Sequence, residues 1–357
     1  MGSRDRAAEA DRLVEEAATL FEAGAFEDAL ARAEEATALA PRAVAAQHWR
    51  AAALAGLGRA DEARAAYDAA LRVGPDDLDL LAGAADFFVR AQEPGGDGDR
   101  EAIERGLELA RRGSRIARRE DEPEVLAELA LLEGIALSQL GELREALARL
   151  DAAIAASPDR ADARVERGNV LYELCRFDEA RRQLLEALER DPEDAWTHHL
   201  LGLVAERQGD AKEARRRFSR ARKLAPDDFP APVELSAAAF DAAVEDALEA
   251  LPEAVRAYLA NVAIAVEELP SDDDLLGSDP PLSPSILGVF RGSPLGQKAS
   301  MDPWSHFPSS IVLYQKNLER FARDRAELID EIGVTLVHEV GHFLGLDEED
   351  LWERGLD

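Results

Sequence analysis

Prolines at Pro41, Pro75, Pro158, Pro192 and Pro226 stand 34, 83, 34 and 34 residues apart. A period of that length constrains a fold strongly, because it demands that one supersecondary unit be stacked on copies of itself. The interval of 83 is two periods plus 15 residues, so one insertion is expected. At least part of it is expected at the run of turn formers Glu93-Pro94-Gly95-Gly96-Asp97-Gly98-Asp99. Within the units a turn followed by alanine recurs, as in Gly24-Ala25-Phe26-Glu27-Asp28-Ala29, Gly58-Arg59-Ala60-Asp61-Glu62-Ala63, Gly141-Glu142-Leu143-Arg144-Glu145-Ala146 and Gly209-Asp210-Ala211-Lys212-Glu213-Ala214. Glycine can adopt the left-handed cap that ends a first helix, and proline closes the second.

Composition agrees with stacked helices: alanine, leucine, glutamate and arginine abound, and only 6% of residues are aromatic. A chain of 357 residues exceeds what one core organises, so a repeat array plus a separate domain is expected. The formal charge is −31, and residues 230–357 alone hold 8 basic against 25 acidic side chains. Such charge disfavours nucleic acid and anionic membranes as partners and attracts basic peptides. The single cysteine, Cys175, makes no intramolecular disulfide and is expected in the core. Residues 1–20 carry no continuous apolar run, so neither a leader nor a membrane anchor is expected, and the cytoplasm is the default location.

On these residues the first part of the chain resembles the tetratricopeptide repeat family. With each closing proline as register, Ala17, Ala51, Gly134, Gly168 and Gly202 fall on its small helix-crossing position. Ala29, Ala63, Ala146, Ala180 and Ala214 fall on its second-helix alanine. The fifth unit departs by placing Cys175 where glycine is usual, and the third, near Leu78 to Glu120, is degenerate. The resemblance implies an α-helical solenoid of about six repeats over residues 1–228, whose inner, concave surface holds a protein partner. His198-His199 is read as two ordinary helical residues, since neighbouring positions diverge by about 100° and do not share an ion. Asn169 occupies a position where some such repeats grip a carboxylate, and is left unassigned.

After Pro226 the period ends, and a second domain is expected over residues 229–357. Leu235, Phe240, Val244, Leu248 and Leu251 fit one helix face, and Pro252 begins a short second helix to about Leu259. Three strands are expected, Val262 to Leu269, Ile286 to Gly292 and Ser309 to Gln315. Ser293 to Pro308, with His306, reads as a long loop that can cover a cleft, and Asp272-Asp273-Asp274 as a solvated loop. A last helix runs from about Arg325 to Leu344, with Gly345 as its left-handed stop. Gly333 and Gly341 within it predict close packing against a neighbour.

That helix carries the chemistry. His338 and His342 lie four apart on one face, so both imidazoles can reach one zinc ion with Glu339 beside it. Zinc with three protein ligands keeps a position for a water whose pKa falls toward about 7. Glu339 is the general base that takes that proton and passes it to the leaving amine.

The segment as a whole resembles the minimal bacterial zincin-like metallopeptidases. The resemblance rests on Asn261 to Leu269, Leu287-Gly288-Val289-Phe290-Arg291-Gly292-Ser293-Pro294-Leu295, Ile311-Val312-Leu313-Tyr314 and Val337-His338-Glu339-Val340-Gly341-His342-Phe343-Leu344-Gly345. It implies a small α+β zinc peptidase domain, a peptide or protein substrate, and a third ligand among the acids after Gly345. Metzincin-like spacing points to Glu348, with Asp347 as the alternative, although the methionine turn of that group is missing. The family usually has Asp three residues after that last glycine, where this chain has Glu348. A role for Tyr314 in stabilising an oxyanion is a further expectation. Two functions follow: a zinc endopeptidase with a recruiting repeat array, or an interaction protein whose zinc domain is structural or catalytically silent.

Overall fold

The computed structural model describes residues 3–90, 99–259, 262–292, 309–347 and 350. Six helix pairs come first: α1 (Ser3–Glu22) and α2 (Phe26–Leu39), α3 (Val44–Gly56) and α4 (Ala60–Val73), α5 (Leu78–Arg90) and α6 (Asp99–Glu120). They continue as α7 (Pro123–Gln139) and α8 (Leu143–Ala156), α9 (Ala161–Glu173) and α10 (Phe177–Leu188), α11 (Ala195–Arg207) and α12 (Ala211–Leu224). The chain is thus a mostly helical repeat solenoid followed by a small α+β region. Its compact units are, first, the chain up to Val170 with Ala180–Pro192 and, second, Leu171–Glu179 with the chain from Glu193 onward.

The period follows from how closely paired helices cross. A Cβ added to Gly134 would lie 2.6 Å from Leu150 Cγ, and one on Gly168 2.6 Å from Leu184. Gly202 is pressed by Phe218 in the same way, at 2.5 Å. Ala17 and Ala51 occupy the corresponding positions in the first two pairs and are fully buried. The additional residues of the third and fourth units are spread over several elements. Helix α6 has 22 residues where α2, α4, α8 and α12 have 14, and α7 has 17 where α3 has 13. Most of the expected insertion, residues 93–98, lies outside the described residues.

Turn glycines Gly24, Gly58, Gly141 and Gly209 take φ between 70° and 80°, the left-handed region that glycine adopts without strain. Cys175 occupies the equivalent turn at φ 56°. The fold therefore keeps the turn and places a β-carbon in it, which corrects the expectation of a core cysteine. Cys175 is only partly buried, its Sγ lies 3.7 Å from the Leu282 carbonyl oxygen, and burial pushes the thiol up to about 11.

In the second unit, α11 and α12 belong with the sheet-bearing region. Arg207 donates to the Pro270 carbonyl and to Asp272, while Arg320 and Lys316 meet Glu206 at 2.6 and 3.8 Å. His198 contacts Arg217 through Nδ1, and His199 stacks on Phe229 at 4.8 Å, so both act as packed helical residues. Beyond them come α13 (Ala237–Ala250), α14 (Glu253–Leu259), β1 (Ala263–Glu267), α15 (Asp272–Leu275), β2 (Gly288–Arg291), β3 (Ser310–Tyr314), α16 (Gln315–Phe321) and α17 (Arg325–Leu344). The sheet order is β1-β3-β2, with β1 parallel and β2 antiparallel to β3.

Alternation divides the sheet into two faces. Ile264, Val266, Phe290, Ile311 and Leu313 point to a core shared with Phe240 and Val244 of α13 and with Leu328, Ile332, Leu336, Val340 and Phe343 of α17. Glu267, Arg291 and Tyr314 occupy the other face. No described helix is long and apolar enough to cross a membrane.

One stability change follows from the fifth turn. A left-handed conformation costs an L-residue about 1–2 kcal/mol relative to glycine, so Cys175→Gly is expected to stabilise the chain by about 1 kcal/mol. The urea unfolding midpoint measures this, and an unchanged or lowered midpoint contradicts it.

Candidate metal centre

Helix α17 presents the candidate residues. Its start is fixed by Asp324, whose carboxylate accepts from the backbone N–H groups of Ala326 and Glu327 at 2.8 and 3.0 Å. Its apolar stripe, at four-residue steps from Leu328 through Ile332 and Leu336 to Val340, is buried. That burial sets the rotation of the helix and hence the direction of every other side chain on it. The adjacent stripe, Thr335 and Glu339, is also buried, and it abuts β2. A Cβ on Gly288 would meet Thr335 Cγ2 at 2.7 Å and Glu339 Cγ at 3.5 Å, so glycine in β2 is what lets this stripe approach the sheet. Gly333, by contrast, has its nearest outside atom at 3.9 Å, so close packing does not explain that glycine.

His338 and His342 are brought together, with their Nε2 atoms 3.1 Å apart and their rings nearly perpendicular at 82°. Gly345 ends the helix in the left-handed region at φ 91°, and Leu346 N–H returns to the Gly341 carbonyl at 3.0 Å. This cap swings the chain back over the helix end and sets the Leu346 carbonyl oxygen 3.1 Å from His342 Nδ1. A carbonyl oxygen can only accept, so this contact places a proton on Nδ1, which in a neutral ring leaves the Nε2 lone pair for a cation. Such a backbone acceptor on the remote nitrogen is how metal-binding imidazoles are oriented.

The pair fits a zinc ion. Two nitrogens at about 2.0–2.1 Å from one tetrahedral zinc are about 3.3–3.4 Å apart, close to the separation seen. A lone pair on His342 Nε2 directed at His338 Nε2 calls for a proton or a cation between them. Among the described residues no group of three His, Cys, Asp or Glu side chains converges, and Glu348 lies outside them. Asp347 is described: its Oδ1 accepts from Asp350 N–H at 2.9 Å, a cap on the chain that follows. His306 and the whole of residues 293–308 lie outside the described residues.

Tyr314 is not at this site. Its hydroxyl donates to Asp274 Oδ2 at 3.0 Å, on the sheet face opposite α17, which removes the basis for an oxyanion role. Asp274 also receives Arg291 through two bonds, 2.7 and 2.6 Å, and Ser271 Oγ at 2.6 Å, while Arg291 continues to Glu267 at 2.7 Å. The acid run expected as a solvated loop is therefore a capped helical turn, in which Asp272 and Asp273 stay exposed and Asp274 makes a half-buried ion pair with Arg291. The signal was present, since Ser271 with an acid three residues on is the pattern of a capping box. Burial raises the Asp274 carboxyl, but the bonds from Arg291, Ser271 and Tyr314 outweigh it and hold the group well below the usual carboxylate range.

Comparison with known proteins agrees with this architecture. Residues 259–356 match the zincin-like metallopeptidase family, and residues 14–78, 131–195 and 167–229 match tetratricopeptide repeats. A search of curated proteins found no match. Among solved structures the chain is similar to PilF of Pseudomonas aeruginosa, at 15% identity and a TM-score of 0.52, covering 62% of this chain and 95% of that one. It is likewise similar to PilW, a type IV pilus biogenesis factor, at 18% identity and a TM-score of 0.52, covering 61% and 94%. At these identities the likeness shows the helical fold alone.

The Asp274 network makes a pH prediction. Its carboxyl is depressed in the folded chain, so its contribution is present above the unfolded value of about 3.9 and is lost as pH falls through the lower, folded value. Asp274→Asn is expected to cost about 2 kcal/mol at pH 7, with solvent on Arg291 limiting the loss. In urea titrations across pH, the difference from the native chain shrinks below about pH 4; a difference independent of pH contradicts the assignment.

Proposed function

Because this chain joins tetratricopeptide repeats to a zincin-like metallopeptidase domain, we propose that it is a zinc-dependent endopeptidase of the cytoplasm. In this reading the repeats of residues 1–228 recruit a protein through their inner surface, and residues 229–357 cleave it. The observation that carries the reading is the Nε2 pair of His338 and His342, 3.1 Å apart, with His342 oriented through Nδ1 by the Leu346 carbonyl.

Zinc held by His338, His342 and Glu348 would supply Lewis-acid polarisation of a peptide carbonyl and acidify water at the same place. Glu339, which follows His338 in the chain and is buried, accepts the proton of the attacking water on its carboxylate and returns it to the departing amine nitrogen. Gly288 and Thr335 hold the stem of Glu339 against β2, so that its carboxylate is presented by a rigid backbone rather than a loop. Glu348 is favoured over Asp347 as third ligand by its spacing, six residues after His342. The excess of negative charge supports a protein or peptide substrate and speaks against nucleic acid or an anionic membrane.

The general-base role makes Glu339→Gln the decisive substitution: the variant is expected to retain one zinc per chain and to lose cleavage of an unstructured protein by about 100-fold or more. Metal analysis with a casein-type cleavage assay reads both quantities. Equal cleavage by both forms contradicts the reading, and zinc without cleavage in the native chain moves it to an interaction protein with a silent zinc domain. For the third ligand, Glu348→Ala is expected to weaken zinc in a chelator competition by about 10-fold or more, and Asp347→Ala to change it less. The reverse order would transfer the role to Asp347.

A further inference from the structure

The second unit holds a cavity of about 860 Å³, between α12, the chain after it, and α16. Its size is that of a pocket for one small organic molecule. It is separate from the histidine pair, none of whose residues lines it.

The floor is aromatic. His199 stacks on Phe229 at 4.8 Å and meets Phe218 at a tilt at 5.4 Å, and all three line the cavity. Burial, then the nearby Arg320 charge, pushes the His199 imidazole down to about 4, so at neutral pH the floor bears no charge.

One wall is a stripe of α12. Arg215, Ser219 and Arg222 stand at i, i+4 and i+7, on one helix face, and all line the cavity. The other cations around it are committed: Arg320 and Lys316 to Glu206, and Arg323 to Glu327. Among the described residues Arg215 donates only to the Ala211 carbonyl of its own helix, at 3.2 Å. Arg222 Nε is buried and has no hydrogen-bond partner among the described residues. No ion pair engages the Arg222 guanidinium among the described residues either, so it stands uncommitted on this wall. Five acids also line the cavity: Glu206 is held by Arg320 and Lys316, Glu268 by Lys316, and Glu319 by Leu235 N–H and Gln315, while Asp228 and Glu234 are exposed to solvent, as are Arg215 and Ser219.

We propose that this cavity binds a small organic anion, a flat apolar body carrying one carboxylate or sulfonate, with the body on Phe218, Phe229 and His199 and the anion on Arg222 and Arg215. A guanidinium matches such a group through paired N–H donors, and the rings supply apolar contact on which a planar body can stack. The occupant would join α12 to α16 within the second unit. The inference stands apart from the peptidase reading and does not require the metal.

The test uses the full chain and two probes of similar shape, 8-anilinonaphthalene-1-sulfonate, which carries the anion, and N-phenyl-1-naphthylamine, which does not. Fluorescence titration is expected to give one saturable site for the sulfonate. Arg222→Gln is expected to weaken the sulfonate at least 10-fold and leave the neutral probe within 2-fold. Arg323→Gln, at the rim and paired with Glu327, is expected to change neither. Should Arg222→Gln fail to fold by circular dichroism, Arg215→Gln replaces it, with at least a 3-fold loss for the sulfonate alone. No saturable site, equal losses for both probes, or a loss in Arg323→Gln matching that in Arg222→Gln overturns the proposal.

Discussion

The seating of α17 is the constraint on which the chemistry of the second unit depends. Leu328, Ile332, Leu336 and Val340 lie on one stripe of that helix, and their burial against β3 and α13 fixes its rotation. Each such side chain contributes about 1.5–3 kcal/mol when buried, so a helix turned by one position would forfeit several kcal/mol. Rotation in turn decides that Glu339 meets β2 at Gly288 and that His338 and His342 share a direction. The left-handed cap at Gly345 completes the arrangement by bringing the Leu346 carbonyl to His342 Nδ1. The two imidazoles need no separate scaffold, because the helix core and the helix end orient them.

The repeat array obeys a different constraint, the approach of paired helices through small residues. Gly134, Gly168 and Gly202 receive Leu150, Leu184 and Phe218, and neither partner can change size without the other. The last pair, α11 and α12, serves two roles. It keeps the repeat pattern, and through Arg207, Glu206 and their partners it is held to the region that carries the sheet. Its exposed end therefore does not remain a bare repeat face, and the cavity lined by Arg222 lies where the two kinds of packing meet within that unit.

Much of this was legible in the sequence. Proline spacing gave the number and register of the helix pairs, and the periodicity from Leu328 to Leu344 gave α17 with its stop at Gly345. The strands were found to within one or two residues, because each is a short apolar run bounded by turn formers. What escaped depended on contacts distant in sequence. Asp274 reads as one acid in a run until Arg291, Ser271 and Tyr314 are seen to converge on it. Tyr314 sits on a strand adjacent to α17, yet alternation points it to the other face. Helix α16 follows β3 without a break, so its seven residues carry too little periodicity to separate from the strand. Cys175 keeps a turn that its side chain disfavours, which spacing indicated and residue type concealed.

The central claim is that His338 and His342 are assembled to hold one zinc ion by their Nε2 atoms. Zinc K-edge X-ray absorption on the zinc-loaded full chain tests it most directly. The account predicts one zinc per chain with two imidazole nitrogens at about 2.0–2.1 Å, light oxygen scatterers in the remaining positions and no sulfur. A spectrum with a sulfur ligand at about 2.3 Å, or without imidazole scattering, would contradict it.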